Sequence, residues 1–319
     1  EDGIRDSVAS RGLGDVYKRQ IKAQNIVAAT GPFQTPIIPP IIADDRISQI
    51  HSFDYRNPKQ LDDGAVLIVG AGSSGSQIAD ELLRAGRKVY LSIGPHERPP
   101  RSYRGKDFVW WLGTLGKWQM QTPPIGKEHV TIAVSGAYGG KTVDFRKFAH
   151  RGMKLLGMTK AYANGVITIA DDLAKNIANG DVNYLGLLAE ADEYIKVNNL
   201  DFPAEEDAKL IMPDPACLTS PIRQLDLADA GIKTVLWATG YIQDFSWLKA
   251  DVFDDQKKPV HKKGVATIDG IYFIGLPWLS MRGSSFIWGV WEDARYLACL
   301  LYTSPSPRDA TLSRMPSSA

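Results

Sequence analysis

The stretch Ala65–Ile93, AVLIVGAGSSGSQIADELLRAGRKVYLSI, decides how this chain folds. Its first residues, Ala65–Val69, are all apolar and predict a buried strand. Ser76–Arg84 carries apolar residues at helical spacing and predicts a helix, which Gly86 is expected to end. Lys88–Ile93 then predicts a second strand. A strand, a glycine-rich turn, a helix and a strand therefore follow one another without interruption.

The turn in this stretch has the spacing G-x-G-x-x-G of a dinucleotide-binding loop. Gly70 permits the tight turn, Gly72 lets the backbone approach a pyrophosphate, and Gly75 lets the helix pack closely on the strand. The start of the helix would direct free N–H groups at the phosphates. We therefore predict half of a Rossmann unit. A Rossmann-like methyltransferase and a structural turn without a ligand are the alternatives. The predicted cofactor-binding residues here are Gly70, Ala71, Gly72, Ser73, Ser74, Gly75 and Gln77.

Both ends of the chain have a sequence pattern that is not expected of a natural protein. Codons for Tyr17–Gln20, read on the opposite strand with a shift of one base, encode Cys299–Tyr302. Gly3–Asp6 and Ser313–Pro316 are related in the same way. Residues 1–20 and 299–319 are therefore interpreted as translated sequencing adapters and are left out of the fold prediction.

The composition argues against several classes of protein. The chain has 37 Lys and Arg against 36 Asp and Glu, and the part between the adapter-like ends is balanced. We therefore expect no nucleic-acid partner, and no apolar run is long enough for a transmembrane segment. In that part Cys217 is the single cysteine, which excludes a disulfide framework. No metal-binding, serine-hydrolase or P-loop motif is present, so no metal ligand or catalytic side chain is predicted. We expect a cytoplasmic protein and leave its oligomeric state open.

Arg98, Arg101 and Arg104 follow the second strand. A site specific for NAD places Asp or Glu at the end of this strand for the ribose 2′-OH, whereas a site for NADP places Arg nearby for the extra phosphate. Leu91–Gly94 contains no acid. We therefore expect NADPH to be the nucleotide. The alternative is a solvated basic loop.

The segment from Lys127 to Asn199 predicts mixed structure inserted after this half-unit. Strands are expected at Val130–Val134 and Gly165–Ala170, a basic helix at Asp144–Leu156, and one or two helices over Asp172–Asn198. Before this segment, aromatic and leucine residues over Asp107–Trp118 predict an apolar helix face that packs in the core or between domains.

Three more short strands end at glycine. Asn25–Gly31 and Ile232–Gly240 both close on Ala-Thr-Gly, and Gly270–Gly275 closes on a single glycine. A mostly apolar helix is predicted over Phe286–Leu297, with Ser284 or Ser285 as its N-cap.

The order of these elements resembles the two-dinucleotide-domain flavoproteins and, among them, the flavin-containing monooxygenases. Val27–Pro32 and Leu236–Tyr241 match the paired A-T-G segments that join the FAD and NADPH domains. Gly70–Gly75 matches the second, NADPH-side glycine fingerprint. His51–Tyr55 resembles the end of the signature F-x-G-x-x-x-H-x-x-x-[WY], although the leading F-x-G is absent. Gly275 precedes Leu, whereas many relatives have Asp there.

The resemblance implies an α/β fold with three layers, like that of glutathione reductase. A Rossmann-like NADPH-binding domain would span residues 62–241, with the inserted excursion at about 127–200. It would be inserted into an incomplete FAD-binding domain made of residues 21–61 and 242–298. The FAD-side glycine fingerprint would lie upstream of Ile21.

The resemblance also implies the chemistry. NADPH would reduce FAD, and the reduced flavin would capture O2 as a C4a-(hydro)peroxide and pass one oxygen to a small organic substrate. The flavin supplies the reactivity while the protein binds and positions it. Gly275 and Ser285 would lie near the flavin. The further residues expected to bind cofactor, near the domain junction, are Thr30, Gly31, Pro32, His51, Thr239, Gly240 and Tyr241.

Three other functions are open at this point. A pyridine-nucleotide–disulfide reductase shares the architecture but needs a redox dithiol, and only Cys217 is present. A flavin reductase or oxidase would release peroxide without oxygenating a substrate. A regulatory or transport-associated subunit would bind nucleotide without turnover.

Overall fold

The computed structural model of this chain describes residues 21–121 and 131–303. Residue 130 of the predicted strand Val130–Val134 and residues 127–130 of the predicted excursion lie outside the described residues. So do residues 1–20 and 304–319 of the two adapter-like ends. The strands, numbered in chain order, are β1 (Ile26–Ala28), β2 (Thr35–Pro36), β3 (Ser48–His51), β4 (Ala65–Val69), β5 (Val89–Ser92), β6 (Ser102–Tyr103), β7 (Lys106–Asp107), β8 (Lys154–Leu156), β9 (Thr159–Ala163), β10 (Val166–Ile169), β11 (Gln224–Asp226), β12 (Ile232–Trp237), β13 (Tyr241–Ile242), β14 (His261–Lys262), β15 (Val265–Ala266) and β16 (Ile271–Phe273). The α-helices are α1 (Ser73–Arg84), α2 (Phe108–Thr114), α3 (Phe145–His150), α4 (Leu173–Val197), α5 (Ala216–Thr219) and α6 (Val290–Thr303).

A five-stranded parallel sheet forms the centre of the larger domain. Its strand order is β3-β12-β4-β5-β8. Val66, Leu67 and Ile68 of the central strand β4 are fully buried, as expected for a strand covered on both faces. The α/β fold class and the predicted strand–turn–helix–strand unit are therefore confirmed.

Helix α1 lies close to the end of strand β4 because Gly75 has no side chain where the helix meets the Gly70 carbonyl. A Cβ atom placed on Gly75 would come within 1.9 Å of the Gly70 carbonyl oxygen. Gly70 itself has φ of 104°, and a Cβ there would lie 2.4 Å from the Ala238 carbonyl oxygen. No other residue type fits either position without moving the backbone. The roles predicted for the first and third glycines are thus visible in the packing.

Part of the segment predicted as an inserted excursion belongs to the central sheet. Strand β8 forms the edge of that sheet beside β5. Strands β9, β10 and β11 form a separate antiparallel sheet, and α4 is one continuous helix. On the other side, strand β3 pairs with β12 although it precedes the predicted domain start at residue 62.

Two predicted helices have different bounds in the structure. The helix expected over Asp144–Leu156 ends at His150, because Gly152 adopts φ of 100° and the chain then enters β8. The helix expected to begin at Phe286 begins at Val290. Ser284 is not its N-cap, since its Oγ accepts the N–H groups of Ser280 and Met281 within a preceding 3-10 turn.

The smaller domain contains a four-stranded sheet in the order β1-β16-β15-β14. Strands β1 and β16 are parallel, and the other two pairs are antiparallel. Phe273 is fully buried and packs on Phe245 in the core of this domain. Strand β1 lies at the sheet edge, with Ile26 and Val27 exposed. Among the described residues, no helix combines the length and apolar character that crossing a bilayer requires.

Replacing Gly75 with alanine is expected to destabilise the fold by about 3 kcal/mol or more, since the new methyl group would collide with the Gly70 carbonyl. The matched control is Gly186→Ala in helix α4, where nothing lies within 4 Å of the added methyl group. This control should be neutral or stabilising by up to about 1 kcal/mol. Urea unfolding followed by circular dichroism measures both. Equal stability of the two variants would contradict the packing described for α1.

Candidate dinucleotide-binding site

The glycine loop lies at the carboxyl end of β4, the central strand of the parallel sheet. This is the edge where ligands bind in open α/β folds. Gly72 is the N-cap residue of α1 and has no side chain to cap the first turn, so the N–H groups of that turn are available to an anion. Ala71 is buried, and its carbonyl accepts a hydrogen bond from Ser76 Oγ at 2.9 Å. Ser74 is exposed.

Residues 131–134, here called the covering segment, lie across this loop. Ser73 Oγ donates a hydrogen bond to the Ile132 carbonyl at 2.9 Å, and Gln77 Nε2 donates to the Val134 carbonyl at 3.4 Å. A Cβ on Gly72 would lie 3.1 Å from Thr131 Cγ2. Within the described part of the strand predicted at Val130–Val134, which is residues 131–134, Ile132 forms a bridge with Glu97. The sequence pattern did not predict that this segment would contact the glycine loop.

Arg98 lies in the interior and not on a basic loop. Its Nη2 bonds Asp181 Oδ1 at 2.8 Å, Nη1 donates to the Val143 carbonyl at 3.2 Å, and the guanidinium lies 4.3 Å from the centre of the Tyr184 ring. Arg146 bonds the other oxygen of Asp181 at 2.7 Å. Arg98 is only 5% exposed, so its charge is already neutralised away from solvent.

The other two arginines also have carboxylate partners. Arg104 bonds Asp192 at 2.7 Å and is mostly buried. Arg101 bonds Asp107 at 2.9 Å, and that carboxylate side chain is 44% exposed. Exchange of an exposed partner for a phosphate costs less than exchange of a buried one. Of the three arginines, Arg101 is therefore the one best able to accept a new anion.

The chain segments that follow the two Ala-Thr-Gly sequences pair with each other where the chain passes between the two sheets. Strand β2 pairs with β13 there, which places the outgoing and returning chain crossings side by side. Ile37 N donates to the Gly240 carbonyl at 3.1 Å, and Thr239 Oγ1 donates to the Ile37 carbonyl. Gln34 Nε2 donates to Thr30 Oγ1 at 3.0 Å and to the Gly31 carbonyl at 2.8 Å. Pro32 follows directly in the chain.

His51 is buried at this junction and has a defined tautomer. Its Nδ1 accepts the N–H of Phe53 at 3.0 Å, so the proton resides on Nε2, which donates to the Gly240 carbonyl at 3.1 Å. Burial lowers the pKa of His51, which favours this neutral form. Its ring lies edge-on to Tyr241, with 5.2 Å between the ring centres. The predicted junction residues are thus brought together.

Of the two residues predicted to lie near the flavin, Gly275 follows β16 with φ of 76° and has open space where a side chain would be. Ser285 ends the 3-10 turn Arg282–Ser285. This turn is tied to the larger domain, because Arg282 Nη2 lies 3.4 Å from Glu97 Oε2 and the Gly283 N–H donates to the Trp118 carbonyl at 3.0 Å. No motif pointed to the contact between Glu97 and Arg282, since the two lie far apart in sequence.

A cavity of about 240 Å³ lies between helices α2 and α4 beside the Arg282 turn. Phe108, Leu112 and Leu187 supply apolar walls, and Ile132 of the covering segment closes one side. Within the described residues, no cluster of three or more His, Cys, Asp or Glu side chains could hold a metal ion.

Comparison with known proteins shows which family model and which solved structure this chain resembles. Residues 15–114 match the pyridine nucleotide-disulphide oxidoreductase family. A flavin monooxygenase variant from Stenotrophomonas maltophilia has a similar fold, with a TM-score of 0.51 and 15% sequence identity over 89% of this chain and 64% of that chain. The chain therefore shares the fold of that flavin monooxygenase.

Two relatives in sequence are named as an oxidoreductase and a monooxygenase. An uncharacterised CzcO-like oxidoreductase of Geobacillus kaustophilus is 32% identical over 281 residues, which cover 86% of this chain and 64% of the relative. Flavin-containing monooxygenase 5 of Cavia porcellus is 27% identical over 212 residues, covering 63% of this chain and 32% of the relative. The chain thus spans somewhat less than two thirds of the length of the CzcO-like relative.

Replacing Asp181 with asparagine is expected to lower the free energy of unfolding by about 3–5 kcal/mol, because it leaves the buried charge of Arg98 without its carboxylate partner and leaves Arg146 with the exposed Asp214 alone. Asp214→Asn is the matched control. Asp214 bonds the same Arg146 at 2.7 Å, but its side chain is 58% exposed. Its loss should cost about 1 kcal/mol or less. Urea titrations measure both values, and a control as damaging as Asp181→Asn would show that burial does not decide the cost.

Proposed function

We propose that this chain carries the NADPH-binding domain and part of the FAD-binding domain of an oxidoreductase, and that the enzyme is a monooxygenase of the flavin-containing type. The position of the glycine loop at the carboxyl edge of the parallel sheet supports the assignment of a nucleotide site. The pairing of the two chain crossings that follow the Ala-Thr-Gly segments supports the assignment of two domains. When bound, FAD would supply the redox chemistry, with NADPH as the reductant, O2 as the oxidant and a small organic molecule as the substrate.

The residues of the glycine loop fit a dinucleotide. Gly72 has no side chain on the face that a pyrophosphate approaches, and the first-turn N–H groups of α1 lack a side-chain cap. Ser73, Ser74 and Gln77 add polar side chains on the same helix start. We assign Gly70, Ala71 and Gly75 to the shape of the loop and the other residues to contact with the phosphates.

The smaller domain fits a flavin site that is only partly present in the chain. Gly275 leaves open space after β16, and Ser285 lies at the end of the turn tied to Glu97 through Arg282. The side chains of Ile26 and Val27 on strand β1 are exposed, so this sheet offers apolar surface to the flavin that we propose.

The junction would hold the two domains in a fixed relation. His51, as a neutral donor to Gly240, and Thr239, as a donor to Ile37, tie both chain crossings to the central sheet. We assign Thr30, Gly31, Pro32, His51, Thr239, Gly240 and Tyr241 to positioning of the nucleotide against the flavin. These groups would orient the nucleotide and exclude water. None of them is assigned a step in which a bond forms or breaks.

The reaction type is tested with the full-length protein by comparing NADPH oxidised with peroxide released. Amines, sulfides and ketones are the substrates to offer. We expect one of these classes to lower peroxide release and to yield an oxygenated product. Complete conversion of NADPH to peroxide with every substrate would instead establish a flavin oxidase. NADPH binding without any flavin reduction would establish a subunit without turnover.

Replacing Gly72 with aspartate is expected to abolish NADPH binding, since the carboxylate would occupy the pyrophosphate position and repel it. The protein should still fold, because an acidic residue is tolerated at a helix start. Fluorescence titration with NADPH measures the effect, and Gly186→Ala is the control. Unchanged affinity in Gly72→Asp would move the site away from this loop.

Replacing Arg101 with glutamine is expected to weaken NADPH binding about tenfold or more while leaving NADH binding unchanged, because only NADPH carries the 2′-phosphate. Arg223→Gln is the control, since Arg223 also forms a partly exposed ion pair, with Asp171 at 2.6 Å. Parallel titrations with the two nucleotides separate the effects. Equal losses for NADPH and NADH would assign Arg101 to the loop structure.

A further inference from the structure

The covering segment, residues 131–134, occupies the face of the glycine loop that a dinucleotide needs. The absent side chain of Gly72 is what lets a pyrophosphate approach the backbone in such loops. In this structure the space in front of Gly72 is filled by the Thr131 side chain, whose Cγ2 lies 3.1 Å from where a Cβ would be. Thr131 and a pyrophosphate cannot both occupy that space.

The contacts of the segment with α1 are of a kind that a phosphate could replace. Ser73 Oγ donates to the Ile132 carbonyl at 2.9 Å, and the same hydroxyl can donate to a phosphate oxygen. Gln77 Nε2 makes a long bond of 3.4 Å to the Val134 carbonyl. Both acceptors are neutral carbonyls, whereas a phosphate is charged and accepts stronger hydrogen bonds.

The far side of the segment is attached to Glu97. The Glu97 N–H donates to the Thr131 carbonyl, and the Ala133 N–H donates to the Glu97 carbonyl, each at 2.8 Å. The Glu97 carboxylate is paired with Arg282 of the turn that ends at Ser285. One residue therefore connects the cover of the nucleotide loop to the flavin side of the molecule.

We propose that the covering segment excludes NADPH from the glycine loop and that NADPH binds by displacing it, with release of the Glu97 backbone pair. The proposal rests on the NADPH site proposed above. In this proposal the contact of Thr131 with Gly72 belongs to a form of the protein that cannot hold the pyrophosphate. The strength of the attachment between residues 131–134 and Glu97 then sets the apparent affinity for NADPH, because only the uncovered fraction can bind.

Hydrogen exchange of the full chain tests displacement directly. The Ala133 amide is fully buried and bonded to Glu97, so it should exchange slowly without nucleotide. Saturating NADPH should increase its exchange rate by about tenfold or more. Faster exchange at Ala133 supports the proposal. Unchanged or slower exchange, with NADPH bound, overturns it and makes the segment a fixed wall of the site.

A pair of variants at Thr131 supplies the second measurement. Thr131→Gly removes the methyl group that faces Gly72, and we expect it to tighten NADPH binding about fivefold. Thr131→Val keeps a methyl group in that place and serves as the matched control, with unchanged affinity expected. Weaker binding in Thr131→Gly would overturn the proposal, since it would show that the segment helps to hold the nucleotide.

The two proposals fail in different ways. If wild type binds NADPH and Thr131→Gly does not bind it more tightly, displacement is wrong and the nucleotide site stands. If neither protein binds NADPH, the nucleotide site itself is wrong, and the displacement proposal falls with it. Binding that appears only in Thr131→Gly supports both.

Discussion

The close approach of helix α1 to strand β4 is the contact on which the rest of the larger domain depends. Gly75 can lie against the Gly70 carbonyl only because Gly75 has no side chain in the way, and Gly70 can in turn lie against the Ala238 carbonyl. This approach places the start of α1 above the carboxyl edge of the sheet. It also leaves Gly72 at the point where the chain turns, so that one packing constraint shapes both the fold and the candidate nucleotide site.

The same constraint explains why this region could be predicted from the sequence. The contacts of this region join elements that are neighbours in the sequence: strand β4, its glycine turn, helix α1 and strand β5. Their apolar periodicity and glycine spacing appear in one short stretch. The junction could be predicted in a different way. The two Ala-Thr-Gly segments lie some 200 residues apart, yet each ends a strand, and the family resemblance paired them. The structure then showed that they meet through β2 and β13.

The remaining features depend on contacts that no local pattern contains. Arg98 follows a strand as a phosphate-binding arginine would, but Asp181 and Tyr184, both from helix α4, draw it into the interior. The helix predicted through Leu156 was wrong because the sheet required a fifth strand at β8, which the left-handed Gly152 permits. The contact of the covering segment with the glycine loop was not predicted, for the same reason. Its bonds run to Ser73, Gln77 and Glu97, none of which is near it in sequence.

The pairing of β2 with β13 has a mechanical consequence. Because both crossings between the two sheets run through one narrow antiparallel ribbon, neither crossing can bend without the other. A change in the angle between the two sheets therefore moves both Ala-Thr-Gly segments together.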